Sequence, residues 1–341
     1  MFLLLCIGAV IALGLFYQAI GQLLDDRRFP PPGRLVSTGA LRLHLHQQGA
    51  GEPVVVLEAG IAGSSLGWAL VQPEIGKFTS VCSYDRAGLG WSAKPEEART
   101  VDQMTSELRG LLASAGCPPP YILVGHSFGG LLIRAYAYRY PSHVAGLLFV
   151  DPVSLCEWTE CGAAQRQRLL GGARLSRRGA LLARLGIVRA ALALLVAGSR
   201  QVPKLIGRTA AGKGLLVLER LVGQVQKLPP AVHPMIQSHW SSPKCFLAMA
   251  AYLECLPASA AEAQKMRIPA GIPFTVLSAE NATQTEFEER ESWTREKPNA
   301  RHVVVAGSGH WIQIEKPEAV VSAVKELIET VRNAPRLVER R

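Results

Sequence analysis

Residues 121–130 read Tyr-Ile-Leu-Val-Gly-His-Ser-Phe-Gly-Gly, a short apolar run ending in a serine set between glycines. Tyr121 to Val124 predicts a buried strand, and Leu131 to Tyr140 predicts the helix that follows. A serine on so sharp a strand-to-helix turn takes a strained backbone, and side chains two residues to either side would collide. Glycine at 125 and 129 removes those collisions, leaving the hydroxyl above the sheet edge. The first amides of the new helix then point at whatever the serine attacks, which favours a negative oxygen. Such a serine attacks carbonyl carbon, and it needs a base and an acid from elsewhere in the chain. A serine in a glycine-rich turn is common, so its partners carry the argument.

The base has a clear candidate. Arg301 to Ala306 is a β-branched run, and Gly307-Ser308-Gly309-His310-Trp311 follows it as a loop. Pro317 then opens a last amphipathic helix with Val320, Val321, Val324, Leu327 and Ile328 as its apolar residues. His310 therefore sits on a loop at a strand end, suited to shuttling a proton from Ser127.

With these residues in view the chain resembles the α/β-hydrolase superfamily, in its cap-bearing, serine-nucleophile, esterase-like members. Four segments carry the resemblance: Leu57 to Ser65, Ser83 to Ser92 (Ser-Tyr-Asp-Arg-Ala-Gly-Leu-Gly-Trp-Ser), the serine turn, and Gly309-His310-Trp311 with Glu315-Lys316-Pro317. The resemblance implies an oxyanion hole built by the amides of Ile61 and Phe128, with Gly60, His126 and Trp311 bordering the substrate. Ala59-Gly60 stands where the family usually has His-Gly, which implies a differently shaped entrance. Asp85 and Arg86 read as a structural loop, paired with each other or with nearby backbone. Serine at 127 also argues against epoxide hydrolase and haloalkane dehalogenase chemistry, which use an aspartate nucleophile in this superfamily.

The triad acid stays open between two positions. The usual one, after the strand that precedes the histidine strand, falls on Ala282, with Glu280 two residues earlier. The other is the end of the strand after the serine helix, Gly146-Leu-Leu-Phe-Val-Asp151-Pro152. Asp151 is the preferred acid, because only geometry matters to orienting an imidazole. Glu280 is the alternative, and a water-assisted dyad a third possibility.

The elements needed to hold these residues are present. Strand-like and helix-like segments alternate, predicting a mostly parallel sheet with helices on both faces. Thr100 and Gln103 form a capping pattern ahead of a helix bearing Met104, Leu108, Leu111 and Leu112. The expected organisation is an anchor at 1–24, a core in two parts at 25–151 and 266–341, and a helical cap inserted at 152–265.

The ends of that plan carry their own chemistry. Met1 to Leu24 holds no charged side chain, enough apolar length for an N-terminal transmembrane helix. An uncleaved single-span anchor is favoured over a signal peptide, since no lysine or arginine precedes the apolar run. Arg27, Arg28 and Arg34 would draw the catalytic part to the cytoplasmic side, although the neighbouring Asp25 and Asp26 make the bias weak. Phe29 to Gly33, with three prolines, reads as a stiff spacer. The segment 152–265 holds 15 Lys and Arg against 5 Glu and no Asp, so the chain's net charge of +10 resides there. Between Leu169 and Leu195, leucines interleave with arginines as in an amphipathic helix at an anionic lipid surface.

Other classes fit poorly. Gly207 to Gly214 nearly matches a phosphate-binding loop but has glycine where Ser or Thr is required. The seven cysteines show no metal-ligand spacing, and His44, His46, His143, His233, His239 and His302 form no ligand pattern. No metal or cofactor is expected. Few aromatics accompany the basic residues, which argues against nucleic acid. The expected function is a membrane-associated serine hydrolase acting on carboxylic esters of apolar acyl groups. Other acyl transfer, peptide or C–C bond hydrolysis, or ligand binding without catalysis, remain the alternatives.

Overall fold

The computed structural model describes residues 1–39, 41–95, 97–196, 222–295 and 297–333. The near phosphate-loop match at 207–214 lies outside them.

Eight strands form one sheet: β1 (Arg34–Ser37), β2 (Arg42–Gln48), β3 (Val54–Glu58), β4 (Val81–Tyr84), β5 (Tyr121–His126), β6 (Val144–Val150), β7 (Phe274–Ala279) and β8 (Ala300–Val305). Their order is β1-β2-β4-β3-β5-β6-β7-β8. The β1–β2 and β2–β4 pairs are antiparallel and all others parallel. β3 and β5 lie at the centre and are buried along their whole length, which is why they open with the continuous apolar runs Val54 to Leu57 and Tyr121 to Val124 rather than alternating ones.

Helices cover both faces. On one side α3 (Val101–Ser114) and α4 (Phe128–Arg139) bury Leu108, Leu111, Leu112, Ile133 and Tyr136 against the sheet. On the other, α12 (Pro317–Asn333) buries Val320, Val324, Leu327 and Ile328 on Leu148, Val150 and Leu277. The Thr100 side chain accepts the Gln103 amide at 3.1 Å and so starts α3.

Between β6 and β7 the described residues form a helical layer. It comprises α5 (Leu155–Thr159), α6 (Ala163–Arg184), α7 (Ile187–Val196), α8 (His233–Trp240) and α9 (Pro243–Lys265). The single basic helix expected across 169–195 is two helices, because Gly186 takes φ +73° and ends the first. The described residues also hold the shorter or connecting helices α2 (Gln72–Ile75), α10 (Gln284–Thr294) and α11 (Ile312–Glu315).

At the N-terminus, α1 (Phe2–Arg28) is long and apolar enough to cross a membrane, with mean hydropathy 2.3 over its most apolar window. The spacer after it is not free. Trp91 Nε1 donates to Phe29 O at 2.9 Å, and His44 Nε2 donates to Pro32 O at 2.5 Å, so residues 29–33 are tied to the sheet domain.

Candidate active site

The serine turn forms as its glycines require. Ser127 has φ +53°, and its amide donates to Val150 O at 3.0 Å. A Cβ on Gly125 would stand 2.5 Å from Gly129 O, and one on Gly129 would strike the Glu58 carbonyl. Strand, turn and helix can close only with glycine at both places. α4 begins at Phe128, so the Phe128 amide is one of the unpaired donors of a helix first turn beside Ser127.

His310 leaves β8 by the loop 306–311 and lies over the turn. Its Nε2 is 3.0 Å from Ser127 Oγ, and its Nδ1 is 2.6 Å from Asp151 Oδ2. With Nδ1–H donating to the carboxylate, Nε2 is the free acceptor for the serine proton, the tautomer that proton abstraction needs. Asp151 follows β6, is buried, and takes φ +42°, so the acid as well as the serine is held in left-handed backbone. Such conformations cost on the order of 1–3 kcal/mol each and persist only where surrounding contacts fix them.

Those contacts are explicit at Asp151. Its amide donates to Leu277 O at 2.7 Å, and Oδ1 accepts Ala279 N at 2.9 Å and Arg290 Nη1 at 2.8 Å. Burial opposes its charge, but the His310 hydrogen bond and the Arg290 cation outweigh burial and hold its pKa below the ordinary carboxylate value. Arg290 was not foreseen. It sits on α10 in the run Glu-Phe-Glu-Glu-Arg-Glu, which reads as a solvated face, yet it is among the largest fully buried side chains. Its Nη1 also donates to Ser278 Oγ at 3.1 Å and its Nη2 to Pro152 O at 2.6 Å.

Glu280 does not approach the imidazole. It is exposed, and Oε2 accepts the Gly307 amide at 3.0 Å, so it braces the base of the histidine loop. The alternative acid thus has a different contact, because β7 ends one residue before it and its side chain turns toward that loop. His126, expected to border the substrate, has a contact to the histidine loop. It is buried, and its Nε2 donates to the His310 carbonyl at 2.9 Å. Burial, with His310 close by, pushes its pKa down to about 3, so it is neutral near pH 7.

The loop after β3 is tight against the serine. A Cβ on Gly60 would be 2.9 Å from His126 Nδ1 and 3.3 Å from Ser127 Cβ. The turn Gly60–Gly63 closes through Gly63 N to Gly60 O at 3.1 Å, with Ala62 at φ +55° and Ile61 between. Arg86 fixes this loop: Nη1 donates to Ala59 O at 2.6 Å and Nη2 to Gly60 O at 2.5 Å. Its charge is met by Glu58, which also accepts Tyr84 Oη–H, and it lies over the rings of Tyr252 and Phe128. Asp85 and Arg86 therefore do not pair with each other. Adjacent residues leaving a strand point to opposite sides, and Asp85 meets His44 Nδ1 at 2.9 Å and the Ser65 amide at 2.7 Å instead.

Apolar side chains from the helical layer and the sheet core pack beside this region. Leu66, Leu228, Ile236 and Ile314 form one cluster, with Trp240 and Trp311 packed on it. Ile61 packs into a second with Phe128, Leu155, Leu169 and Tyr252. Trp311 stands edge-on to His310 at 5.3 Å between ring centroids. Glu315 joins the histidine loop to the segment before α8: Oε2 accepts Gly309 N at 2.5 Å, while Oε1 accepts Gln224 Nε2 at 2.7 Å and Lys227 Nζ at 3.0 Å.

Comparison with known proteins agrees with this architecture. The sequence pattern of the alpha/beta hydrolase fold family matches residues 53–317, and the chain belongs to that family. It is 35% identical over 107 residues to the uncharacterized protein YqjL of Bacillus subtilis, covering 31% of this chain and 42% of that one. It is 32% identical over 126 residues to a 2-hydroxy-6-oxo-2,4-heptadienoate hydrolase of Pseudomonas putida, covering 36% and 45%. The matched stretches thus span less than half the length of either relative. Among solved structures, a putative epoxide hydrolase of Pseudomonas aeruginosa superposes with TM-score 0.65 at 17% identity, covering 89% of this chain and 97% of that one. A thermophilic esterase of Thermogutta terrifontis superposes with TM-score 0.60 at 22% identity, covering 87% and 97%. These likenesses show a shared fold.

Proposed function

We propose that this chain is a membrane-associated serine hydrolase cleaving carboxylic esters of apolar acyl groups. The observation that carries the reading is the unbroken line from Ser127 Oγ to His310 Nε2 to Asp151 Oδ2. In this reading His310 takes the Ser127 proton as the serine attacks the acyl carbonyl, and Asp151 holds the imidazole and its charge. The amides of Ile61 and Phe128 receive the negative oxygen, a contribution on the order of 2.7–4 kcal/mol for each such donor by removal. His310 returns the proton to the leaving alcohol, and water on the reverse course frees the acid. The clusters around Ile61 and Trp311 favour an apolar acyl chain. α1 serves as the membrane anchor, with Asp25, Asp26, Arg27 and Arg28 ending the apolar stretch.

A panel of p-nitrophenyl esters of rising chain length, hydrolysed by the full chain in detergent with Ser127→Ala as control, tests this. Turnover favouring longer acyl chains and absent from the variant is expected. Equal rates in both proteins, or none in either, would reject it. One relative's name, 2-hydroxy-6-oxo-2,4-heptadienoate hydrolase, motivates a second substrate in the same assay. Serine-dependent turnover of that dienoate with no ester cleavage would replace the first reading.

A further inference from the structure

Resting on the anchor reading of α1, we infer that the corner between α6 and α7 is itself inserted in the bilayer. The protein is then held by its cap as well as by its anchor, both in the same leaflet. The corner and α1 touch at backbone level. A Cβ on Gly14 would stand 2.5 Å from Leu185 O, and one on Gly186 would stand 2.7 Å from Tyr17 Cδ1. A polar clamp locks the contact: Gln18 Nε2 donates to Ser241 O at 3.2 Å, Arg189 Nε donates to Gln18 Oε1 at 3.1 Å, and Arg189 Nη1 meets Asp25 Oδ2 at 2.6 Å. Gln18 is the one buried residue of α1. Polar groups beside lipid must find partners within the protein, and Gln18, Asp25 and the Nε and Nη1 of Arg189 have done so.

Length then sets the depth. Tyr17 precedes Asp25 by eight residues, about 12 Å along a helix axis. The headgroup layer adds roughly 5–7 Å outside the hydrocarbon on each side. Even with Asp25 at the outer edge of that layer, Tyr17 lies below the hydrocarbon boundary, and Gly186 lies beside it. The side chains at the corner suit that depth. Leu181, Leu182 and Ile187 are 58%, 42% and 49% exposed, and Leu194 follows on α7. Arg184 is long enough to carry its charge up to the headgroups, where Arg178 and Arg174, about two and three turns nearer the start of α6, meet anionic lipid. Arg177 is occupied by Glu254. The tied spacer at residues 29–33 prevents the domain from swinging away on a tether. α6 would thus run from the bilayer to Leu169, in the same apolar cluster as Ile61 and Phe128, giving an acyl chain an apolar route to the serine.

The test uses the full chain in phosphatidylcholine–phosphatidylglycerol vesicles whose acyl chains are brominated. An environment-sensitive fluorescent amino acid replaces Leu182, Ile187, Phe16 or Glu329 in turn. Loss of fluorescence at Leu182 and Ile187 comparable to that at Phe16, with Glu329 unquenched, is the expected result. Quenching at Phe16 alone would overturn the inserted corner and leave the anchor intact. No quenching at Phe16 would remove the anchor reading, and this inference with it. Quenching at all four positions would mean adsorption without a preferred face and would also overturn it.

Discussion

Arg290 and Asp151 share a buried ion pair, Nη1 to Oδ1 at 2.8 Å, on the carboxylate oxygen that His310 does not use. Each oxygen of Asp151 thus has a separate cationic or proton-donating neighbour. The arginine comes from α10, which follows β7, the strand after which this family commonly places its acid. Here the acid comes from β6, and the element after β7 supplies a positive clamp to hold it.

Replacing Arg290 with Met should raise the Asp151 pKa, because the cation that favours its charged form is gone while burial stays. Activity on the acid side requires Asp151 ionised, so the acid limb of the pH–rate profile should move to higher pH. Arg290→Lys should restore part of the shift. Breaking a buried pair from one side costs about 3–5 kcal/mol. The stability that Asp151 contributes through its lowered pKa is present above the unfolded carboxyl value and lost as pH falls through the folded one. A melting-temperature drop in Arg290→Met with an unmoved acid limb would assign the arginine a structural role only.

Asp151→Asn keeps the shape of the site but no longer fixes the His310 tautomer, and kcat should fall by about 10⁴-fold. Glu280→Gln should leave kcat within a few-fold of the parent, since its carboxylate contacts the Gly307 amide rather than the imidazole. Parallel kinetics on the two variants check both. The reverse ranking would return the acid role to Glu280.

The serine turn, the strand ends bearing Asp151 and His310, and the start of α3 were legible because each depends on residues close in sequence. Gly125 and Gly129 announce the turn, and Thr100 announces its helix. Choosing between Asp151 and Glu280 was harder, because the choice depends on where two loops from different strands meet. Arg290 was hidden by its neighbours. Glu286, Glu288, Glu289 and Glu291 surround it in sequence, and nothing local shows that one face of α10 turns onto β7. The bond from His126 to the His310 carbonyl was likewise hidden, because it depends on where the histidine loop lies and not on the place of His126 beside Ser127. The break at Gly186 depends on a left-handed backbone that a leucine-and-arginine pattern does not display.

The loop bearing Ile61 gives a prediction about kcat alone. Gly60→Ala brings a methyl group into His126 and Ser127 and should displace the Ile61 amide. The expected loss is about 10²–10³ in kcat, the effect of removing one oxyanion donor. KM should change much less, since the ground-state carbonyl relies less on that amide. Arg86→Leu should show the same kinetic signature. It should also destabilise the fold, since Glu58 would stay fully buried without its cation, and burial already pushes the Glu58 pKa up. Equal losses in kcat for both variants with unchanged stability would contradict the second part.

His126 predicts how stability depends on pH. Its folded pKa of about 3 lies below the ordinary histidine value of 6.5, so the unfolded chain binds the proton that the folded one refuses. Stability from this group is therefore complete above about pH 6.5 and declines as pH falls, by about 1.4 kcal/mol per unit until the folded pKa is reached. At pH 5 the loss is about 2 kcal/mol from His126 alone. His239, lowered to about 4 chiefly by burial, adds a loss of the same sign. His126→Gln keeps a donor for the His310 carbonyl and has no proton to gain. It should be less stable than the parent near pH 7, where the snug ring is lost, yet fall less steeply between pH 7 and pH 5. Thermal midpoints of both proteins in detergent across that range check the slopes. Parallel curves would mean that His126 is protonated in the fold, and the neutral donor to His310 would have to be abandoned.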